Sequence, residues 1–158
     1  MPDDLGEEDN CYRMKYTFLY GGVSVGMVSY DSQMLTEGQI PSGKKSSFYA
    51  DVLVTADGVQ FINCKVPRGK LEKVEKKKII SIDEAIDALG EIYEGRNIED
   101  EMTVMEIWLE YVPFAQDEGC ILKPYWCFFA EIGSKEKSYT TDRVNAYTGI
   151  SFADDLNS

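Results

Sequence analysis

The sequence predicts an α+β domain in which an antiparallel sheet carries one principal helix. Apolar and polar residues alternate over several short segments, as expected for strands that bury one face. A single segment, 81–95, has the 3.6-residue period of an amphipathic helix. The 158 residues are 44% hydrophobic, which suits one domain or two packed lobes with a substantial core.

The first half of the chain, residues 11–66, is predicted to be a lobe built as an antiparallel β-meander. Side chains alternate from Tyr12 to Tyr20, and Gly21-Gly22 supplies the positive-φ positions of a tight hairpin turn. A second turn is expected at Ala56-Asp57-Gly58. The predicted elements are strands over 12–20 and 23–30, a loop over 31–46, and strands over 47–55 and 59–66.

Three charged segments are expected to lie outside the packed elements. Residues 1–10 form an acidic tail that we predict to be disordered, and residues 153–158 form a second tail. From Lys65 to Lys78 seven basic residues oppose two acidic ones, so this segment carries +5 and the rest of the −12 chain carries −17. We interpret 67–78 as a solvated basic linker, with contact to an anionic surface as the alternative.

The predicted helix begins at a capping box. Ser81 and Glu84 are three residues apart, so each side chain can bond the other's backbone amide. Gly95 is expected to end the helix in the left-handed conformation. The apolar face that packs across the sheet is expected to contain Ile82, Ala85, Ile86, Leu89 and Tyr93.

Three strands are predicted after the helix, over 102–112, 121–132 and 139–147. The second should lie inside the sheet because both of its faces are apolar, and its Trp126 should be largely buried. A turn is expected over 113–119, and Thr148-Gly149 is expected to form a terminal turn.

The order of elements from 79 to 152 resembles the PepSY-like domains and the YycH/YycI group of extracytoplasmic regulators in Gram-positive bacteria. It consists of a capped helix, a strand, a Pro-x-Trp strand and an Asn-Ala-x-Thr-Gly strand. The residues that carry the resemblance are Ile82-Asp83-Glu84-Ala85, Leu109-Glu110-Tyr111-Val112-Pro113, Leu122 with Pro124 and Trp126, and Val144-Asn145-Ala146 with Thr148-Gly149. The resemblance implies a PepSY-like or cystatin-like half-unit preceded by the meander. Ile150 stands where such proteins usually carry an acidic residue.

The resemblance also implies a function. It points to a non-enzymatic regulatory or protein-binding domain outside the cytoplasm, held at the membrane by a helix or lipid anchor that lies outside this sequence. The expected partner is a membrane-associated sensor, protease or transporter. Two alternatives stay open: an envelope-polymer hydrolase or polymer-binding module, and a purely structural module of a larger surface protein.

A candidate interaction face is predicted around Trp108, since Tyr and Trp are favoured anchors of protein interfaces. The alternative is that this face packs against the meander. Glu106 and Glu110 alone do not suit glycoside hydrolysis, because i and i+4 on a strand lie about 13 Å apart. The face comprises Val104, Glu106, Trp108, Glu110, Tyr125 and Phe129.

Charge and composition restrict the remaining chemistry. A net charge of −12 disfavours nucleic-acid binding, and no cofactor or metal is predicted. Gly38 to Lys44 resembles the start of a phosphate-binding loop, but Lys45 stands where a Ser or Thr is required. With no histidine, Ser or Cys nucleophiles lack their usual base. The redox state of Cys11, Cys64, Cys120 and Cys127 stays open between buried thiols and disulfides.

Overall fold

A computed structural model describes residues 11–26, 28–30, 44–46, 48–65, 72, 76–95, 101–116, 119–133 and 137–157. The predicted acidic tail 1–10 and most of the predicted linker 67–78 lie outside these residues. The strands are β1 (Tyr12–Tyr20), β2 (Val23–Val25), β3 (Val28–Tyr30), β4 (Lys44–Ser46), β5 (Tyr49–Thr55), β6 (Gly58–Lys65), β7 (Met102–Gln116), β8 (Gly119–Ile132) and β9 (Ser138–Asn145). The helices are α1 (Ile82–Gly95) and α2 (Phe152–Asp155).

Seven strands form one mixed sheet in the order β6-β5-β1-β2-β7-β8-β9. Strands β2 and β7 run parallel, with Ser24 opposite Glu110 and Val25 opposite Tyr111, and the other neighbours are antiparallel. Strands make up 60% of the structure. The predicted α+β class with a purely antiparallel sheet is therefore wrong, and the fold is sheet-dominated. Local alternation predicts strands, whereas pairing between distant strands depends on long-range packing.

The two predicted lobes meet in this sheet through a short hairpin. Gly21 and Gly22 have φ values of 58° and 84°, as a two-residue turn with both central residues left-handed requires. The predicted partner strand over 23–30 is interrupted at Gly26, whose φ is 109°. Its second part, β3, pairs with β4, which lies inside the predicted loop over 31–46. Most of that loop lies outside the described residues.

Strands β7 and β8 form a longer hairpin than the sequence predicts. Pro113 lies inside β7 opposite Leu122, so the predicted turn over 113–119 is wrong over its first residues. The pairing register shifts between Val104 and Glu106 and leaves Met105 as a bulge. This bulge changes which side chains share a face.

Helix α1 begins as predicted at the capping box. The Ser81 amide donates to the Glu84 carboxylate at 2.7 Å, and the Glu84 amide donates to the Ser81 hydroxyl at 3.2 Å. The helix ends at Gly95, which is not in the predicted left-handed conformation.

The face that α1 buries differs from the predicted one. Ile82 and Ile86 are 41% and 43% exposed, so their predicted packing is wrong. Ala85, Leu89 and Tyr93 are buried, and Ala88 and Ile92 are partly buried beside them. The buried stripe is therefore rotated about the helix axis relative to the predicted stripe. It packs against Phe128 of β8 and Val144 of β9.

Trp126 is less buried than predicted but is anchored beside this core. Its ring is partly buried, and Nε1 donates a hydrogen bond to the Ile80 carbonyl at 3.1 Å. Strand β8 lies inside the sheet between β7 and β9, as its two apolar faces predict.

The chain closes with a turn and a short helix. Gly149 has a φ of 78°, and its amide donates to the Asn145 carbonyl, which confirms the predicted turn. Residues 153–155 were expected in a tail, yet they belong to α2, which Ser151 caps through the Asp154 amide. Asp155 is buried.

Candidate functional site

The face opposite α1 holds a buried polar network, which occupies the predicted interaction face. Arg143 Nε lies 2.7 Å from Glu110 Oε1, and both side chains are buried. Trp108 Nε1 donates to the other carboxylate oxygen of Glu110 at 3.1 Å. Cys127 lies between Trp108 and Arg143 in the strand register. Burial raises the pKa of the Cys127 thiol, and the charge of Glu110 raises it further.

A second row of polar groups fastens α2 to the same face. The Asp155 carboxylate accepts hydrogen bonds from the Tyr125 hydroxyl, from Asn145 Nδ2 at 2.7 Å and from Lys123 Nζ at 2.9 Å. Tyr125 is directly opposite both Glu110 and Asn145, so the two rows adjoin. The Phe152 ring covers Tyr125 at 5.5 Å between centroids. This network covers one end of the sheet face. The carboxylates of Glu110 and Asp155 are therefore buried and out of reach of a large substrate.

The structure brings five of the six predicted interaction residues to this one face. Glu110, Tyr125 and Phe129 are buried, whereas Glu106 and Trp108 are partly buried. The geometry therefore does not favour this face as a docking surface.

Val104 is the sixth predicted interaction residue, and its expected face is wrong. It lies opposite Ala130, whereas Glu106 lies opposite Phe129. Directly opposed residues share a face, so the bulge at Met105 turns Val104 to the side that α1 covers.

Four predicted structural residues are placed at the other face and at the chain end. Ser81 and Glu84 cap α1, Trp126 packs beside the core, and Gly149 sits at the turn before α2. Ala88 Cβ would be 3.6 Å from a Cβ built on Gly149, so the turn approaches the helix closely.

A small cavity of about 120 Å³ lies at the β9 edge of the sheet, between the two helices. Its lining combines apolar residues of α1 with polar residues of β9. Arg143 and Asp142 both line it, but Arg143 is paired with Glu110, and Asp142 accepts hydrogen bonds from Tyr93 and Thr140. The volume admits a few water molecules and is far below the several hundred Å³ of a ligand pocket.

The structure also exposes a surface that sequence reasoning did not single out as a site. The face of β1, β5 and β6 that contains Tyr12 and Tyr16 has no charged side chain, and we call it the aromatic face. Tyr12 is 70% exposed, Tyr16 is 52% exposed and Ile62 is 63% exposed. The register places these members on one side: Tyr12, Met14, Tyr16, Ala50, Val52, Val54, Val59, Ile62 and Cys64.

The opposite face of these three strands is polar by comparison. Arg13 Nε donates to Asp51 at 2.9 Å, and this hydrogen bond lowers the pKa of the Asp51 carboxyl. Asp51 is buried beneath the Arg13 side chain. The alternation from Tyr12 to Tyr20 was the available sequence signal. Such alternation predicts a strand with one apolar face, and the structure leaves that face exposed at Tyr12 and Tyr16.

The cysteines are not paired within the described part of the chain. Cys11, Cys64 and Cys120 are exposed thiols, and Cys127 is a buried one. The described residues contain no group of three or more Cys, Asp or Glu side chains arranged to hold a metal ion. No helix among them is long and apolar enough to cross a membrane.

Comparison with known proteins informs the fold alone. No family model and no curated protein matches the chain. The crystal structure of an uncharacterized protein from Eubacterium rectale is similar, with a TM-score of 0.60 and 16% sequence identity. The similarity covers 96% of this chain and 45% of the other, so this chain spans less than half of that protein's length. At this identity the two chains share an arrangement of strands and helices.

Proposed function

We propose that this chain is a non-enzymatic protein-binding domain whose partner docks on the aromatic face. The observation that carries the proposal is an uncharged sheet face on which Tyr12 and Tyr16 are more than half exposed. Tyrosines lose little side-chain entropy on binding and offer large contact areas, which is why they are enriched at interfaces.

The size of the aromatic face supports this use. Large aromatic side chains each bury roughly 150–250 Å². Tyr12 and Tyr16, at 70% and 52% exposure, therefore present on the order of 250 Å² between them, and the smaller side chains of Met14, Val59 and Ile62 extend this surface. Apolar patches of a few hundred Å² are often functional, and this one would supply part of the roughly 800 Å² that each partner contributes to a standard interface.

The charge distribution defines the chemistry of the partner. The aromatic face is neutral, while the whole chain carries −12. A partner whose matching surface has an apolar centre would bury no charge against this face. We therefore expect a protein with an exposed aliphatic or aromatic patch.

The resemblance to PepSY-like and YycH/YycI-like domains supports a regulatory role. It suggests that the partner is a membrane-associated sensor, protease or transporter, and that the native protein is anchored outside the cytoplasm as a lipoprotein or through a membrane helix. A polymer hydrolase is less well supported, because Glu110 and Asp155 are buried and occupied by Arg143, Trp108, Lys123, Tyr125 and Asn145.

Site-specific photo-crosslinking in the native cells tests the proposal. A photoreactive residue in place of Tyr12 should capture one protein, and Tyr16→Ala should lower the yield of that product. The matched control is Leu19→Ala, because Leu19 is 65% exposed on the opposite face of the same strand. Equal losses from both substitutions would contradict docking on the aromatic face. Recovery of the protein on envelope polymer in place of a protein adduct would favour the polymer-binding alternative.

A further inference from the structure

The two edges of the seven-stranded sheet differ in how they are protected. At one edge, β9 is bordered by both helices, and Val144 forms an antiparallel bridge with Ser151. At the other edge, β6 pairs with β5, and no further strand of the described ranges pairs with it. Every residue of β6 after Gly58 is exposed.

Strand β6 also has few of the features that usually keep an edge from pairing. Natural edge strands are protected by charges, prolines, bulges or covering segments. From Gly58 to Cys64 this strand has no charge and no proline, and Lys65 alone is charged. A bulge at Gln60 leaves a regular stretch from Phe61 to Lys65.

The side chains of β6 make the edge apolar on both sides of the sheet. Phe61 is 51% exposed on the side of Arg13 and Asp51, and Ile62 is 63% exposed on the aromatic face. A strand added to this edge would gain main-chain hydrogen bonds and would cover apolar groups above and below the sheet.

We propose that β6 pairs edge to edge with β6 of a second copy of this chain, antiparallel about a two-fold axis perpendicular to the sheet. The two seven-stranded sheets would become one continuous sheet. A two-fold axis near Ile62 or Asn63 keeps equivalent side chains on the same face, because opposed residues in an antiparallel pair share a face. Such an interface is isologous, the commonest arrangement of homodimers.

Self-complementarity and charge favour a second copy over an unrelated strand. Two copies of the same neutral edge match in length and bury no carboxylate, although each chain carries −12. The acidic residues that would make two copies repel each other lie elsewhere in the chain, and salt screens this repulsion. An unrelated charged strand would find Lys65 as its one charged contact on β6.

The contact area sets the expected strength. The five residues of the regular stretch, at about 3.3 Å each, give an edge about 17 Å long. This edge alone contributes less than the roughly 800 Å² per partner of a standard interface. The dimer should therefore depend on concentration and should strengthen as ionic strength rises.

The proposal goes beyond the partner site proposed above, because it uses the backbone edge and not the aromatic face. In the dimer both aromatic faces would lie on the same side of the joined sheet. The protein would then present two docking faces to a partner, which raises avidity if that partner is itself dimeric or clustered.

Sedimentation equilibrium of the full chain under reducing conditions tests the pairing. The mass should rise with concentration from 17.9 kDa toward twice that value, and Phe61→Lys should hold it at the lower value. Ile86→Lys, the matched charge control on the exposed side of α1, should still dimerise. Tyr16→Lys should also still dimerise while losing the partner adduct, which separates failure of the edge from failure of the aromatic face.

Hydrogen exchange supplies a second measurement that does not depend on any variant. The β6 amides that point away from β5 should be protected at least tenfold more at high than at low protein concentration, while α1 amides stay unchanged. A chain that stays at 17.9 kDa up to roughly millimolar concentration would overturn the proposal. Dimerisation without added protection of β6 would overturn it as well.

Discussion

Glu110 and Arg143 form an ion pair inside the sheet, with both side chains buried and 2.7 Å between Oε1 and Nε. Glu110 lies on β7 and Arg143 lies on β9, with β8 between them. Glu110 is level with Tyr125 of β8 and Arg143 is level with Cys127, so the two residues are diagonal neighbours on one face. Removal of one partner leaves an uncompensated buried charge, which commonly costs about 3–5 kcal/mol.

Arg143→Met should therefore lower the free energy of unfolding by about 3–5 kcal/mol, because Glu110 loses its cation. The double variant Glu110→Leu with Arg143→Met should recover most of that loss, since neither charge then remains buried. Urea unfolding of the two variants checks this expectation. A double variant no more stable than Arg143→Met would show that the hydrogen bond from Trp108 or local packing dominates.

Asp155 should make stability depend on acid pH. Burial raises its pKa, but hydrogen bonds from Tyr125, Lys123 and Asn145 outweigh burial and hold the pKa below its usual 3.8. A lowered folded-state pKa gives stability that is complete above the unfolded pKa and is lost as pH falls through the folded pKa. The loss should therefore occur below about pH 4.

Asp155→Asn should remove this part of the acid dependence and cost about 1–3 kcal/mol at neutral pH, because Lys123 loses its counterion. Urea unfolding at a series of pH values measures both effects. Asp57→Asn, in an exposed turn, is the matched control and should leave the slope unchanged. An unchanged slope in Asp155→Asn would place the acid sensitivity at other carboxylates.

Trp126 should contribute by packing and by one hydrogen bond. Trp126→Phe removes the bond from Nε1 to the Ile80 carbonyl and should cost about 1 kcal/mol. Trp126→Ala also removes the ring from the core beside Phe128 and should cost about 3 kcal/mol. Thermal unfolding separates the two contributions. Equal losses would mean that the ring itself adds little.

Two glycines should respond oppositely to alanine. Gly149 has a φ of 78°, so Gly149→Ala should cost about 1–2 kcal/mol through backbone strain. Crowding should add little, since the new Cβ would meet Ala88 at an ordinary 3.6 Å. Gly90 lies on the exposed side of α1, and Gly90→Ala should stabilise by about 0.5–1 kcal/mol. Chemical denaturation of both variants checks the signs.

Features that depend on a few neighbouring residues could be predicted. The Ser81 and Glu84 capping box and the Gly21-Gly22 turn were confirmed, because their hydrogen bonds and dihedral angles are local. The end of α1 at Gly95 was predicted correctly, whereas the left-handed conformation predicted for Gly95 is not observed.

Predictions that depend on packing failed at identifiable residues. The helical period permits two apolar stripes that share Ala85, Leu89 and Tyr93. The turn at Gly149 packs against Ala88, which belongs to the second stripe. Ile82 and Ile86 therefore stay exposed. The bulge at Met105 likewise turned Val104 away from Glu106, and no local pattern signals an extra residue in a strand.

Propensity and alternation act over a few residues, so they were enough to predict the capped helix, the glycine hairpin turn, most strand positions and an interior β8. Long-range packing set the parallel pairing of β2 with β7, which makes the sheet mixed and joins the two halves of the chain. It also decided that Glu110 and Tyr125 are buried while Tyr12 and Tyr16 are exposed. Alternation in the sequence shows that a strand has an apolar face, but it does not show whether another element covers that face. Long-range contacts determine which apolar faces are buried.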